Sequence, residues 1–142
     1  MYSETTRKGE IACAKAELRA LEKGYIISKP SIECRYDRLI DDGKKIYRVQ
    51  IKYADGEPTH STGAISVRLY KYSKNGPDKG RKSPSTYSSK EVDVVLVYLP
   101  KIDQLCWLPP KLFADKREIT LRTEPSKQNQ KKGIHFAEKY FW

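Results

Sequence analysis

The stretch CRYDRLIDDGKKIYRVQIKY (34–53) decides how this chain folds. Two runs with strand-like alternation, 35–41 and 44–53, flank Asp42-Gly43, a dipeptide favoured in tight β-hairpins. A two-residue turn there sets Asp41 against Lys44 and Asp37 against Arg48, with Gln50 as the diagonal neighbour of Asp37. Side chains alternate along a strand, so Asp37, Arg48, Gln50 and Lys52 share one face. The other face carries Tyr36, Ile40, Tyr47, Val49, Ile51 and Tyr53, a core face. Its burial pins the polar set to the opposite side, because a one-residue slip inverts every side chain.

Upstream, residues 5–22 predict a helix whose stripe Ile11, Ala14, Leu18, Leu21 recurs near 3.6 residues, with Gly24 as the stop. Residues 25–29 predict a short strand closed by Pro30. Downstream, AISVRLYKY (64–72) alternates, with Ile65, Val67, Leu69 on one side and Ser66, Arg68, Tyr70, Tyr72 on the other. Residues 73–90 are polar, basic and rich in Gly, Pro and Ser, a long loop or hairpin tip. Residues 91–99 and 104–108 predict buried strands, 118–123 an edge strand, and 133–141 a short amphipathic helix. Trp107 reads as core, and Trp142 as either frayed or part of a subunit interface.

The chain's 142 residues suit one domain, 1–142, without repeats, with 64–90 as an inserted hairpin or loop. No apolar run approaches the ~18–20 residues a membrane helix needs, and the first 20 residues lack a signal-like apolar stretch. Cys13, Cys34 and Cys106 show no CxxC spacing, which argues against a disulfide scaffold or a zinc site and for a reducing, cytoplasmic setting. His60 and His135 lack metal-ligand spacing, and nothing supports Cys34 as a nucleophile. The net charge is +10, and it is local: residues 64–90 hold seven basic residues and one acidic. A solvated loop explains such a cluster, and so does a phosphate-contacting patch, in which clustered cations release counterions from nucleic acid.

The polar face of the hairpin has the parts of a phosphodiester-hydrolysing site. Such chemistry needs a divalent cation to polarise a phosphate oxygen and to lower the pKa of a water. Mg²⁺ takes hard oxygen ligands. Asp37 offers a charged oxygen, Gln50 a neutral one, and the Ile51 carbonyl a third. Lys52, one pleat beyond Gln50, is placed to orient or activate a water, or to stabilise charge on phosphate. Glu10 borders the helical stripe and can bind a second ion, or its water, if the helix lies beside the hairpin. Spacing alone equally describes Arg48 paired with Asp37, and Gln50 as an ordinary strand residue.

The order of parts separates these readings. KGEIACAKAELRALEKGYIISKP (8–30) and CRYDRLIDDGKKIYRVQIK (34–52) resemble the PD-(D/E)XK nuclease superfamily, and within it the cyanobacterial-type bacterial homing endonucleases encoded in group I introns. EVDVVLVYLPKIDQLCWLP (91–109) and GIHFAEKYF (133–141) follow the same pattern, and the loop at 73–90 matches least. The resemblance implies a mixed α/β restriction-endonuclease-like core, a small central sheet flanked by helices. It implies a helical acidic residue at Glu10, a metal-binding Asp37, Gln50 at the usual second acidic position, and the catalytic lysine at Lys52. Tyr36 replaces the motif's proline. Gln50 removes one negative charge, and Gln-x-Lys is the variant expected of the intron-encoded subgroup. The implied activity is Mg²⁺-dependent, site-specific cleavage of double-stranded DNA. The implied partner is a long, near-palindromic DNA site read by a homo-oligomer, a tetramer rather than a dimer.

A 142-residue protomer is small for about 20 base pairs, since single modules bury only ~600–1,000 Å² on DNA, and symmetric duplication answers this. We expect 64–72 and the residues after it to form a β-ribbon in the major groove. Arg68 and Arg81 are expected at base edges, with Lys71, Lys74, Lys79, Lys82, Ser83 and Ser85 on phosphates. Tyr70 and Tyr72 suit either DNA contact or sheet packing. Two alternatives stand beside this reading: a structure-specific nuclease resembling a Holliday-junction resolvase, and a non-catalytic DNA-binding module, which the neutral Gln50 keeps open. A generic basic RNA-binding or ribosome-associated protein fits the strand pattern around Asp37 less well.

Overall fold

The computed structural model of the protein describes residues 1–58, 62–72, 84–125 and 133–142. Helix α1 (Glu4–Glu22) opens it, with Ser3 as N-cap accepting from the Thr6 N–H, satisfying a first-turn donor that has no helical partner. Gly24, at φ 76°, ends it: its N–H donates to the Leu21 carbonyl while the Tyr25 N–H reaches the Ala20 carbonyl. Four strands follow: β1 (Ile26–Ser28), β2 (Arg38–Asp41), β3 (Ile46–Tyr53) and β4 (Ala64–Arg68). Then come β5 (Tyr70–Tyr72), β6 (Pro84–Thr86), β7 (Val94–Leu99) and β8 (Gln104–Leu108). The short helix α2 (Pro110–Phe113), β9 (Glu118–Arg122), β10 (His135–Phe136) and a 3-10 turn over Ala137–Tyr140 complete it.

The central sheet runs β1-β2-β3-β7-β8, all antiparallel except the parallel pair β3 and β7. This is the mixed α/β core expected. Every residue of β7 is buried, as a central strand covered on both faces requires. Val94, Leu96 and Tyr98 join Ile40, Val49, Ile51 and Leu105 beneath α1. Val95, Val97 and Leu99 join Cys106 and Leu108 on the other face, against Ile65, Val67, Leu69, Ile119 and Leu121. That second layer is mainly a small sheet, ordered β10-β9-β4, rather than a second set of long helices.

Several expectations are corrected. The stripe α1 buries is Ala12, Ala16 and Ala20, each fully covered, while Leu18 and Leu21 are exposed. Methyl-sized side chains leave room for the helix to pack on the sheet at close range. Residues 118–123 do not form an edge: β9 lies between β10 and β4. Residues 133–141 form a short strand and a 3-10 turn instead of an amphipathic helix. The run 64–72 splits at Leu69; β4 belongs to the second sheet, and only β5 pairs with β6 as a ribbon. The face assignment within it holds, since Ile65, Val67 and Leu69 are all buried. Trp142 is held within the chain: its ring stacks on Trp107 at 5.2 Å and its carbonyl accepts from Arg19.

Candidate active site

The hairpin turn is longer than the Asp42-Gly43 dipeptide suggests. Asp41 pairs with Ile46 and Arg38 with Val49, leaving 42–45 as a four-residue turn closed by the Asp42 N–H to the Lys45 carbonyl at 3.1 Å. The Asp42 carboxylate accepts from the Lys44 and Lys45 N–H groups, both at 2.8 Å, which holds its pKa below the usual carboxylate value. Gly43 sits at φ 87°. These side-chain bonds compete with the tighter turn and win. The register moves by two residues, an even step, so each side chain keeps its face while its partner changes.

That shift builds the site. Asp37, just before β2, no longer faces Arg48: its N–H donates to the Val49 carbonyl at 2.9 Å, beside the Arg38–Val49 pair. Its Oδ2 accepts from the Ile51 N–H at 2.9 Å. Among the described residues no donor reaches its other carboxylate oxygen. Arg48 is engaged elsewhere: it pairs with Asp93, Nη2 to Oδ1 at 2.9 Å and Nε to Oδ2 at 3.0 Å. That bond pushes the Asp93 carboxyl down and the Arg48 guanidinium up. The alternative pairing of Arg48 with Asp37 is thereby excluded, and Asp37 faces the site.

Gln50 and Lys52 stand beside Val95 and Val97 of β7 in the parallel register. Gln50 is buried, yet its Nε2 makes only one long contact, 3.5 Å to the Ile51 carbonyl. Lys52 lies under the ribbon. Its Nζ donates to the Tyr70 carbonyl at 3.3 Å and sits 5.0 Å from the Tyr87 ring centroid. Burial pushes its pKa down to about 8; Asp37 opposes this, and the cations of Lys71, Arg68 and Arg35 add to it. Charge on Lys52 is therefore costly here, as befits a group poised near neutrality.

The helix contributes a stripe at i, i+3 and i+7: Glu10, Cys13 and Glu17. Glu17 pairs with the Nε of buried Arg38 at 2.9 Å, and Arg38 Nη1 donates to the Asp37 carbonyl at 2.7 Å. The Cys13 thiol, between them, is pushed up to about 11 by burial, with Arg38 opposing and Asp37, Glu10 and Glu17 adding. Glu10 thus lies on the helix edge that approaches Asp37, exposed and without an ion pair among the described residues.

Sequence reasoning missed Arg35 and Tyr87. Arg35 Nη2 donates to the Thr86 carbonyl at 2.7 Å, and its guanidinium stacks on Tyr87 at 4.9 Å. Tyr87 is fully buried, its ring between Arg35 and Lys52, and burial pushes its phenol pKa up. Its hydroxyl is the buried side-chain polar atom left without a partner among the described residues. The only sequence signal for Tyr87 was an aromatic at the end of a basic loop, which pointed to the loop and not to the core.

Of the expected DNA contacts, Arg68 and Tyr72 are exposed and Tyr70 is half-buried. Lys71 pairs with Glu33 at 3.2 Å. Ser85 lies on β6, across from Lys71. Lys74, Lys79, Arg81, Lys82 and Ser83, like His60, lie outside the described residues. The three cysteines are free, and no described helix is long and apolar enough to cross a membrane.

A comparison with curated proteins gave no match. Among solved structures, the bacterial homing endonuclease I-Ssp6803I superposes with a TM-score of 0.76 at 24% identity, covering 98% of this chain and 89% of that one. With 98% of the chain covered, it is a likeness of the whole fold. The family described as PD-(D/E)XK endonuclease matches residues 3–142. Matched over nearly its whole length, this chain belongs to the PD-(D/E)XK endonuclease family.

Proposed function

We propose that this nuclease is a divalent-metal-dependent, site-specific double-stranded DNA endonuclease of the homing type, borne by an intron and acting as a homo-oligomer. The observation that carries the reading is the Asp37 carboxylate held on the Ile51 N–H at 2.9 Å, between Gln50 and Lys52, which share one face of β3. The donors suit a hard cation: one carboxylate oxygen of Asp37 without a donor, a buried Gln50 amide with one long contact, and the Ile51 carbonyl beside it. Rotating the Gln50 carboxamide exchanges its oxygen and nitrogen at no steric cost, so its oxygen is available as a ligand. A bound Mg²⁺ supplies polarisation of the phosphate oxygen and a water of lowered pKa.

The protein's own groups do the rest. Asp37, Gln50 and the Ile51 carbonyl hold the ion, and Glu10 supports it from the helix. Lys52, confined by Tyr87 and the Tyr70 carbonyl, presents its ammonium to charge developing on the phosphate. The basic ribbon and the residues beyond Tyr72 engage DNA. Exposed Leu18 and Leu21 on α1, with Ile26 and Ile46 flanking Asp41 across the sheet, offer apolar surface for the oligomer contact, a tetramer in our reading.

Plasmid nicking with Mg²⁺ and with chelator tests the reaction. Asp37→Ala and Lys52→Ala should each lower the cleavage rate by at least ~10²–10⁴-fold while DNA binding is largely kept. Cutting retained by either variant refutes its role. Preference for a four-way junction over linear duplex would replace site-specific cleavage with a structure-specific activity.

A further inference from the structure

Beside Lys52 opens a cavity of about 520 Å³, lined in part by Ser66, Arg68, Tyr70 and Arg117. Arg68 and Tyr70 flank Leu69, which is fully buried, so both turn outward on the same side. The Leu69 N–H donates to the Arg117 carbonyl at 2.9 Å, which fixes the start of β9 alongside them. The two guanidiniums then share one ring: Arg68 lies 5.3 Å and Arg117 5.7 Å from the Tyr70 centroid. The same tyrosine gives its carbonyl to Lys52.

Three carboxylates also border the cavity, and none is in a salt bridge with Arg68 or Arg117. Asp55 accepts from Lys8 at 2.8 Å and Glu57 from Lys101 at 2.9 Å. Glu118 stands across from Arg68 in the sheet, but its carboxylate binds the Ser66 hydroxyl at 2.6 Å. Among the described residues, Lys52, Arg68 and Arg117 have no carboxylate within salt-bridge distance. Two guanidiniums held on one ring, neither in a salt bridge among the described residues, have N–H donors to offer a bridging anion.

We propose that Arg68 and Arg117, stacked on Tyr70, form a subsite for a DNA backbone phosphate neighbouring the scissile one. The placement rests on reading Lys52 as the catalytic lysine. A stacked guanidinium keeps its edge free for bidentate phosphate contact, and the ring fixes its plane. Arg68 then positions the strand at the cleavage centre instead of reading a base edge, and Arg117 is a DNA contact outside the ribbon.

The test is binding of the full chain to a mixed-sequence duplex of about 30 base pairs, in chelator, across a salt series. Arg117→Gln should weaken binding to every duplex alike and flatten the slope of log K against log salt by about 0.9, and by about twice that when combined with Arg68→Gln. Arg117→Lys, which keeps the charge, should retain most of the slope. An unchanged slope in Arg117→Gln, or equal loss in the Gln and Lys variants, overturns the subsite. The two readings fail separately: cleavage surviving in Lys52→Ala removes the catalytic assignment and leaves this slope measurable, whereas an unchanged slope beside an inactive Lys52→Ala removes the subsite alone. Arg117 is exposed, so the fold tolerates each change, and equal melting temperatures verify it.

Discussion

The two faces of β3 show how one strand serves two ends. Toward α1 it presents Val49 and Ile51, buried with Ile40, Leu96 and the helix residues Ala12 and Ala16. On the other side it presents Gln50 and Lys52, with Asp37 adjacent and Tyr87 above. The apolar face is filled and satisfied. The polar face holds a buried amide with one long contact, a lysine pushed toward neutrality, and a hydroxyl without a partner. Packing on the first face supplies the stability that lets the second remain under-satisfied, and under-satisfied polar groups are what a metal ion and a phosphate can bind.

Damage to the apolar face should be the most destabilising. Ile40→Ala removes a fully covered side chain between β2 and the helix, and should lower unfolding free energy by about 2–5 kcal/mol in urea denaturation. A loss below ~1 kcal/mol would mean that the helix–sheet seam is not where the fold is held. Ala16→Leu tests the close approach itself. Overpacking there should cost about 1–3 kcal/mol, whereas the same change at exposed Ala14 should be near neutral, which melting curves can compare.

The smallest effect should have the opposite sign. Lys52→Met keeps the volume and removes a charge held out of water, so the metal-free protein should gain about 0.5–2 kcal/mol at pH 7 while cleavage is lost. The sign follows from proton counts. The unfolded lysine keeps its proton to about 10.5, the folded one only to about 8, so the wild type binds fewer protons when folded between those values. Wild-type stability therefore gains from Lys52 as pH rises from about 8 to 10.5, and the advantage of Lys52→Met should narrow across that window. A gap that stays constant with pH would show that Lys52 is not desolvated.

The alternation in 34–53 was enough to put Gln50 and Lys52 on one face of β3 and Asp37 in the neighbouring segment. It was not enough to pair them. The turn was set by the Asp42 carboxylate reaching two backbone N–H groups, and Arg48 was drawn off by Asp93, 45 residues away. Local sequence does not contain that partner. The helix shows the same limit: its periodicity allowed two stripes, and the sheet beneath selected the alanines over the leucines.

Residue order alone set the two strands of the hairpin, the shared side of Gln50 and Lys52, the basic character of 64–90 and the likeness of its motifs to a nuclease. These depend on side-chain alternation and charge, which are properties of neighbours along the chain. Only folding drew Arg48 off to Asp93, set Tyr87 beside Lys52 and brought Arg117 to the ring it shares with Arg68. Each of these is a contact between distant segments, formed because closing the β7-centred core brings their backbones together.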